Sequence, residues 1–132
     1  MSGAAKHRCA FQYAVGRGSL LIRARINRKV AVLIVDTGAS HIIVQPALLG
    51  IDPKRLFRTR PGAGVIGDAI GQEVTLEMGD SVWPRRRVSV MDLTAVLSEY
   101  KEPIDGLLGL DFMLEFSQAT INLKDRILTF LR

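Results

Sequence analysis

The sequence has 132 residues, which suits one domain and is too short for two ordinary ones. Hydrophobic residues make up 48% and charged residues 23%, a composition that excludes a wholly disordered chain. The longest aliphatic run, residues 30–35, is far too short for a membrane-spanning helix. The single cysteine, Cys9, excludes an internal disulfide and a multi-thiolate metal site.

The net charge of +5 is unevenly distributed. Residues 1–60 hold 11 Lys and Arg against Asp36 and Asp52, and residues 61–132 hold 7 against 11 acids. A basic half raises the question of nucleic acid. No zinc module or aromatic RNA-binding motif accompanies it, and residues 85–87, three arginines, are interpreted as a solvated turn entering a strand. No nucleic-acid partner is therefore expected, although a steeply salt-dependent affinity would revive that hypothesis.

The first half of the chain predicts short strands and turns. Residues 20–26 alternate between apolar and other side chains, which indicates a half-buried strand. A hairpin turn is expected at residues 27–29, followed by a buried strand over residues 30–35 and a turn at 36–40. A third short strand is expected at residues 42–44, and then a helical turn that ends at Gly50.

The second half continues in the same way. A glycine-rich loop or hairpin tip is expected at residues 60–67, strands at 74–78 and 87–91, and a helical turn within 92–100. One or two turns of helix at residues 110–116 precede two final strands, at 119–123 and 127–131. The pattern predicts an all-β fold, a small closed or sandwiched antiparallel domain with one short helix near the C-terminus.

Two motifs carry the chemistry. The first is Asp36-Thr37-Gly38-Ala39-Ser40, which follows the buried strand, and the second is Leu107-Leu108-Gly109, which leads into the helix. A carboxylate on a tight turn after a buried strand costs desolvation unless it is hydrogen-bonded. Gly38 has no β-carbon, and Thr37 and Ser40 supply hydroxyls. These residues would hold the acid rigidly in a partly apolar site.

Together these motifs resemble the single-domain, retroviral-type (retropepsin-like) family of aspartic proteases. The resemblance extends over nearly the whole chain and implies a small closed antiparallel β-barrel of the retropepsin type. It implies a protease domain at residues 18–132, after an arm at 1–17 that is either a dimer-interface strand or disordered. It also implies that residues 60–70 form a flap over the substrate.

The resemblance assigns roles to individual positions. Catalysis is expected of Asp36, Thr37 and Gly38. Substrate contacts are expected at seven positions, namely Ala39, Ser40, Ile43, Gly64, Val65, Ile66 and Leu107. A structural motif behind the site is expected at Leu108, Gly109 and Asp111, with Asp111 capping the helix or tying it to the loop. The apolar residues predict a preference for apolar side chains beside the cleaved bond, and no metal or cofactor is implied.

Peptide hydrolysis by an aspartic protease needs two carboxylates that share one proton. The chain has one Asp-Thr-Gly triplet, because Asp105-Gly106 lacks the middle hydroxyl residue and is interpreted as a turn. The second carboxylate must then be Asp36 of another copy, which predicts an aspartic endopeptidase active as a homodimer on a polypeptide substrate. The alternative is a catalytically inactive dimerisation or peptide-binding module of the same fold.

Two further features bear on the interface and the location. Ser40 and Leu110 stand where retroviral members usually carry a paired Asp and Arg, so the dimer must rest on other contacts. His41 stands where those members often have another acid, and it is interpreted as a solvated strand residue rather than a substrate contact. The N-terminus lacks the apolar stretch of a secretory signal, which favours a cytoplasmic location.

Overall fold

The computed structural model describes residues 8–16, 18–54 and 70–131, which are mostly β-strand. The strands are β1 (Arg8–Gly16), β2 (Ser19–Ile26), β3 (Lys29–Val35), β4 (Ile43–Val44), β5 (Ile70–Met78), β6 (Ser81–Val90), β7 (Gly106–Leu108), β8 (Gln118–Asn122) and β9 (Ile127–Leu131). The short helices are a 3-10 helix at Pro46–Leu49, α1 (Thr94–Leu97) and α2 (Leu110–Met113). In these ranges no helix has the length and apolarity to cross a bilayer.

Six strands close into a barrel. Hydrogen bonding runs in the order β3, β7, β4, β6, β5 and β2, and pairing of β2 with β3 completes the circle. The predicted all-β closed barrel with a short helix near the C-terminus is confirmed. Four of its six pairings are antiparallel, and two, β3–β7 and β4–β6, are parallel. A long crossover connects the two strands of each parallel pair.

Three strands extend the barrel. Within the segment predicted as an N-terminal arm, residues 8–16 form β1, which pairs antiparallel with β2 on one side and β9 on the other. Strand β8 then pairs with β9 and ends the sheet order. The first and last described strands of the chain therefore lie side by side.

The hairpin that leads to the candidate site turns at Asn27 and Arg28. Their φ angles are 50° and 70°, which is the left-handed backbone that a two-residue hairpin turn of type I′ requires. Asparagine tolerates this conformation. Its side-chain Oδ1 also accepts the backbone N–H of Thr75 at 2.9 Å. The predicted turn is confirmed, and it attaches the hairpin to β5.

The arginine run is the main correction to the predicted elements. Residues 85–87 do not form a turn but lie inside β6, which is ten residues long. The register between β5 and β6 shifts between Val74 and Leu76, so that two residues of β6, Pro84 and Arg85, stand opposite one of β5. A bulge accommodates proline inside a strand. Pro84 therefore does not end the strand, as the sequence Trp83-Pro84 had indicated, and β6 continues through it.

The interior is divided into two apolar clusters. The larger fills the barrel, and its most buried members include Phe112 and Leu108. The smaller contains Ala39 and Leu107. Its other buried members are Leu21, Ile34, Leu93, Leu97 and Ile104. Leu107 and Leu108 point into different clusters, because successive side chains of a strand point to opposite faces.

Candidate active site

Asp36 lies directly after the last residue of β3. Its backbone N–H donates to the carbonyl oxygen of Leu108 at 3.0 Å, so the parallel ladder of β3 and β7 continues for one more step at Asp36. The chain then turns, and the N–H of Ala39 donates to the carbonyl oxygen of Asp36 at 3.2 Å. The predicted turn after a buried strand is present, and Asp36 is half-buried at its base.

The carboxylate of Asp36 is held by its own loop. The backbone N–H of Gly38 donates to Oδ1 at 2.8 Å. A β-carbon at position 38 would lie 3.1 Å from the same oxygen, which is tighter than most real contacts of this kind. Glycine therefore lets the amide approach the carboxylate without displacing it. Thr37 and Gly38 are exposed, so this face of the loop is open.

Strand β7 brings the second motif under the first. It pairs in parallel with β3, joining Ile34 with Leu107, and antiparallel with β4, joining Ile43 with Leu107. Glycines stand at its first position and directly after its last one, and at both the neighbouring backbones lie very close. A β-carbon at Gly106 would lie 3.0 Å from Cα of Val44. One at Gly109 would lie 2.8 Å from the backbone N of His41. Both close approaches therefore require glycine.

Helix α2 is tied to the aspartyl loop by two backbone hydrogen bonds. The N–H of Leu110 donates to the carbonyl oxygen of Ala39 at 2.8 Å, and the N–H of Asp111 donates to that of Ser40 at 3.1 Å. The helix itself is anchored in the core by Phe112, which is fully buried. The loop that carries Asp36 is thus fixed to the barrel interior through α2.

The predicted apolar contacts also lie near this loop. Leu107 is 8% exposed and Ala39 is 9% exposed, and both belong to the smaller apolar cluster. Ile43 is partly buried and packs against that cluster. The expected flap residues Gly64, Val65 and Ile66 lie outside the described residues. The structure therefore brings together the loop, β4 and β7.

Asp105 is engaged away from the loop. Its Oδ2 accepts the backbone N–H of Val32 at 2.9 Å, and its own N–H donates to the carbonyl oxygen of Val32 at 2.8 Å. A carboxylate that replaces a backbone acceptor has a structural role. This agrees with the interpretation of Asp105 as a turn residue rather than a second catalytic acid.

Asp111 is bound on two sides. Its Oδ1 accepts the backbone N–H of Phe112 at 2.7 Å, and its Oδ2 lies 4.0 Å from Nη2 of Arg86. The N-cap position of α2 is Gly109 rather than Asp111. The expected capping role is therefore wrong, because Asp111 lies inside the helix, and the alternative role is the one present: its backbone N–H ties the helix to the loop.

The ion pairs of Arg86 were not expected from the sequence. Arg86 contacts Glu115 as well as Asp111, and its guanidinium lies 5.6 Å from the ring centre of Phe112. It connects β6 to the helix that supports the aspartyl loop. No sequence signal pairs it with residues 25 and 29 positions away, because the contact depends on the barrel closing.

His41 is solvent-exposed, as expected, but it lies in a bend two residues before β4 rather than in a strand. Its Nδ1 is 2.9 Å from Oγ of Ser40, so the two side chains share a hydrogen bond. Nε2 is therefore the ring nitrogen that remains for other contacts. Across residues 18–54 and 70–131, no three His, Cys, Asp or Glu side chains are grouped to bind a metal.

Comparison with known proteins gives a consistent result. A family model described as aspartyl protease matches residues 22–112, more than half of the chain. In fold the chain is similar to a retropepsin-like aspartic protease from Rickettsia conorii, with a TM-score of 0.62 and 23% identity over 96% of this chain and 94% of that one. It is also similar to the retroviral protease-like domain of Ddi1 from Leishmania major, with a TM-score of 0.54 and 21% identity over 85% and 87%. No curated protein matches it in sequence.

Proposed function

The chain belongs to the aspartyl protease family, and on this basis we propose that it is an endopeptidase active as a homodimer. Asp36 of each copy supplies one of two catalytic carboxylates. One activates a water as general base, and the other holds the shared proton and hydrogen-bonds the scissile carbonyl. A twofold axis passes between the two aspartyl loops.

The observation that carries this proposal is the environment of Asp36. Its Oδ1 accepts the Gly38 amide at the base of an open loop, which leaves Oδ2 for a water. The N–H of Asp36 is fixed on Leu108, so the carboxylate is positioned by the barrel. A group held in this way needs little reorganisation during reaction.

The dimer follows from the number of carboxylates. Asp105 accepts the Val32 amide, and Asp111 is bound by Arg86 and by the Phe112 amide. Neither is free to serve as the second acid. The sequence contains no second Asp-Thr-Gly triplet. Exposed Thr37, next to Asp36, is proposed to meet its counterpart across the twofold axis.

The proposed substrate is an extended polypeptide. Its backbone would pair with the strands and loop around Asp36, so that main-chain hydrogen bonds supply affinity. Ala39, Ser40, Ile43 and Leu107 are proposed as contacts, together with the flap residues Gly64, Val65 and Ile66. The apolar cluster under Ile43 and Leu107 supports a preference for apolar side chains beside the scissile bond.

Mixing subunits tests both parts of the proposal. Asp36→Asn should fold like the wild type and cleave an unfolded protein at least about a thousandfold more slowly, since the general base is removed. In an equimolar mixture that has exchanged subunits, only about a quarter of the dimers are fully wild-type. The activity per wild-type subunit should therefore fall to about half.

Three results would contradict the proposal. Cleavage by Asp36→Asn at the wild-type rate would show that the carboxylate of Asp36 is not catalytic. Activity proportional to the amount of wild-type chain, whatever the amount of Asp36→Asn added, would show that one chain suffices. Peptide binding without turnover between about pH 3 and 8 would identify an inactive binding module of the same fold.

A further inference from the structure

A second recessed surface lies beside the aspartyl loop. It is an open cavity of about 390 Å³, formed where the bend after the loop meets β5, β6 and the start of α2. The residues of interest are His41, Gly71, Arg86, Arg87, Ser89 and Asp111. We name it the arginine pocket, and we propose that it accepts an acidic side chain of the polypeptide substrate through Arg87 and His41.

The two arginines of the arginine pocket differ in their partners. Arg86 is neutralised by Asp111 and Glu115. Arg87 has no carboxylate within salt-bridge distance among the described residues, although Glu73 stands opposite it on β5. His41 uses Nδ1 on Ser40 and retains Nε2. Within the described ranges the Arg87 guanidinium is thus open to an anionic oxygen, and Nε2 of His41 can donate to the same oxygen in the tautomer in which Nδ1 accepts from Ser40.

Gly71 leaves room for the Arg87 guanidinium beside β5. A β-carbon at position 71 would lie 2.8 Å from Cζ and 2.9 Å from Nε of Arg87. The guanidinium therefore rests against the bare backbone of β5, at the edge of the pocket.

The position of the pocket indicates a substrate side chain rather than a separate ligand. His41 is five residues after Asp36, so the connecting chain spans at most about 17 Å. An extended substrate rises about 3.3 Å per residue. A side chain within about five positions of the scissile bond can reach the pocket. The inference rests on the proposed function, since it assumes that a peptide lies along the aspartyl loop.

The test is cleavage of matched peptides that carry Glu or Gln at one position, placed in turn at the five positions on each side of the bond. At low salt, Glu should raise kcat/KM about three- to fivefold at one or more positions. The preference should weaken at 0.5 M salt, because screening reduces exposed charge pairs. Arg87→Gln should remove it, while Arg85→Gln, which deletes an equal charge from the same strand outside the pocket, should retain it.

Gly71→Ala tests the position of the Arg87 guanidinium without changing its charge. The added methyl group displaces only the end of a flexible side chain, so folding is expected to survive. The net charge is unchanged, yet the Glu preference should fall. If Arg85→Gln and Arg87→Gln reduce the preference equally, the effect is one of general charge and the pocket is excluded.

The failure of this inference can be told from failure of the proposed function. Wild-type protein that cleaves Glu and Gln peptides equally at every position overturns the pocket and leaves the protease intact. If the wild-type protein cleaves none of these peptides, the proposed function is wrong. Fluorescence anisotropy with the labelled peptides then decides on the pocket, which is overturned if Glu and Gln peptides bind equally well.

Discussion

Asp105 and Val32 are joined by two hydrogen bonds across 73 residues of sequence. The N–H of Asp105 donates to the carbonyl oxygen of Val32, and the carboxylate of Asp105 accepts the N–H of Val32. A side chain here takes the place of a backbone acceptor, just before β7 begins. The link sets the register in which Leu108 later meets Asp36.

Asp105→Ala should lower the free energy of unfolding by about 1–3 kcal/mol, because the Val32 amide loses its partner in a partly buried position. Urea denaturation followed by circular dichroism measures the change. Asp105→Asn is the matched control, since its amide oxygen still accepts the hydrogen bond. It should remain nearly as stable and keep the cleavage activity that Asp36→Asn loses. Loss of activity in folded Asp105→Asn would show that Asp105 is part of the chemistry.

Gly109→Ala should destabilise the protein by about 2 kcal/mol or more, because the methyl group would overlap the backbone of His41, which cannot move aside like a side-chain end. For a domain of this size, this corresponds to a fall in Tm of about 8 °C. Gly71→Ala is the control, since only an arginine guanidinium has to shift. Equal melting temperatures for wild type and Gly109→Ala would show that the two backbones do not lie as close as described.

Phe112→Ala should remove about 3–5 kcal/mol of stability, a large part of the total for a small domain. The ring of Phe112 lies 5.0 Å from that of Trp83, 5.2 Å from Phe116 and 5.7 Å from Phe130. Leu114→Ala, at a side chain that is 76% exposed, should change stability by less than about 0.5 kcal/mol. Unfolding curves of both variants test this. Similar losses of stability in the two variants would show that Phe112 is not a central residue of the core.

Asp92 predicts a small pH dependence of stability. The hydroxyl of Thr94 donates to its carboxylate at 2.6 Å, and this bond, with a second from the Thr94 amide, holds the pKa of Asp92 below its ordinary value of 3.8. Because the folded pKa is lowered, the stabilisation is present above pH 3.8 and is lost as pH falls through the folded value. Since the side chain is exposed, the effect should stay below about 1 kcal/mol.

Comparing wild type with Asp92→Asn measures this effect, because asparagine keeps an acceptor and does not titrate. The stability difference should shrink as the pH is lowered from 6 to about 3. Thr94→Val, which lacks the hydroxyl, should show a smaller pH dependence than wild type. A difference that is constant over this range would show that the hydrogen bonds do not favour the ionised carboxylate.

The strands and the site loop were predictable from local patterns. The alternation of apolar and other side chains predicted β2, and the turn residues Asn27 and Arg28 predicted its end. The position of Gly38 after a buried strand indicated that the Asp36 carboxylate is held by hydrogen bonds. Gly50, with a φ of 67°, ends the 3-10 helix as expected. Each of these features depends on residues that are close in sequence, so a short segment of the chain is enough to predict it.

The remaining features depend on distant segments. The parallel pairing of β3 with β7, the ion pairs of Arg86 and the place of Arg87 on Gly71 arise only when the barrel closes. Pro84 misled the prediction of β6, because a bulge against β5 accommodates it. Composition and spacing contain no signal for a contact set by the register between two strands.

The closed order of the barrel strands has a consequence for biosynthesis. On a ribosome β3 emerges early and can pair at once with β2, but its other neighbour, β7, is translated only after some seventy further residues. Until then the Asp36 amide has no Leu108 carbonyl to bind, and the loop has no α2 behind it. A nascent chain therefore lacks the assembled site on which the proposed function depends until β7 and α2 have been translated and paired.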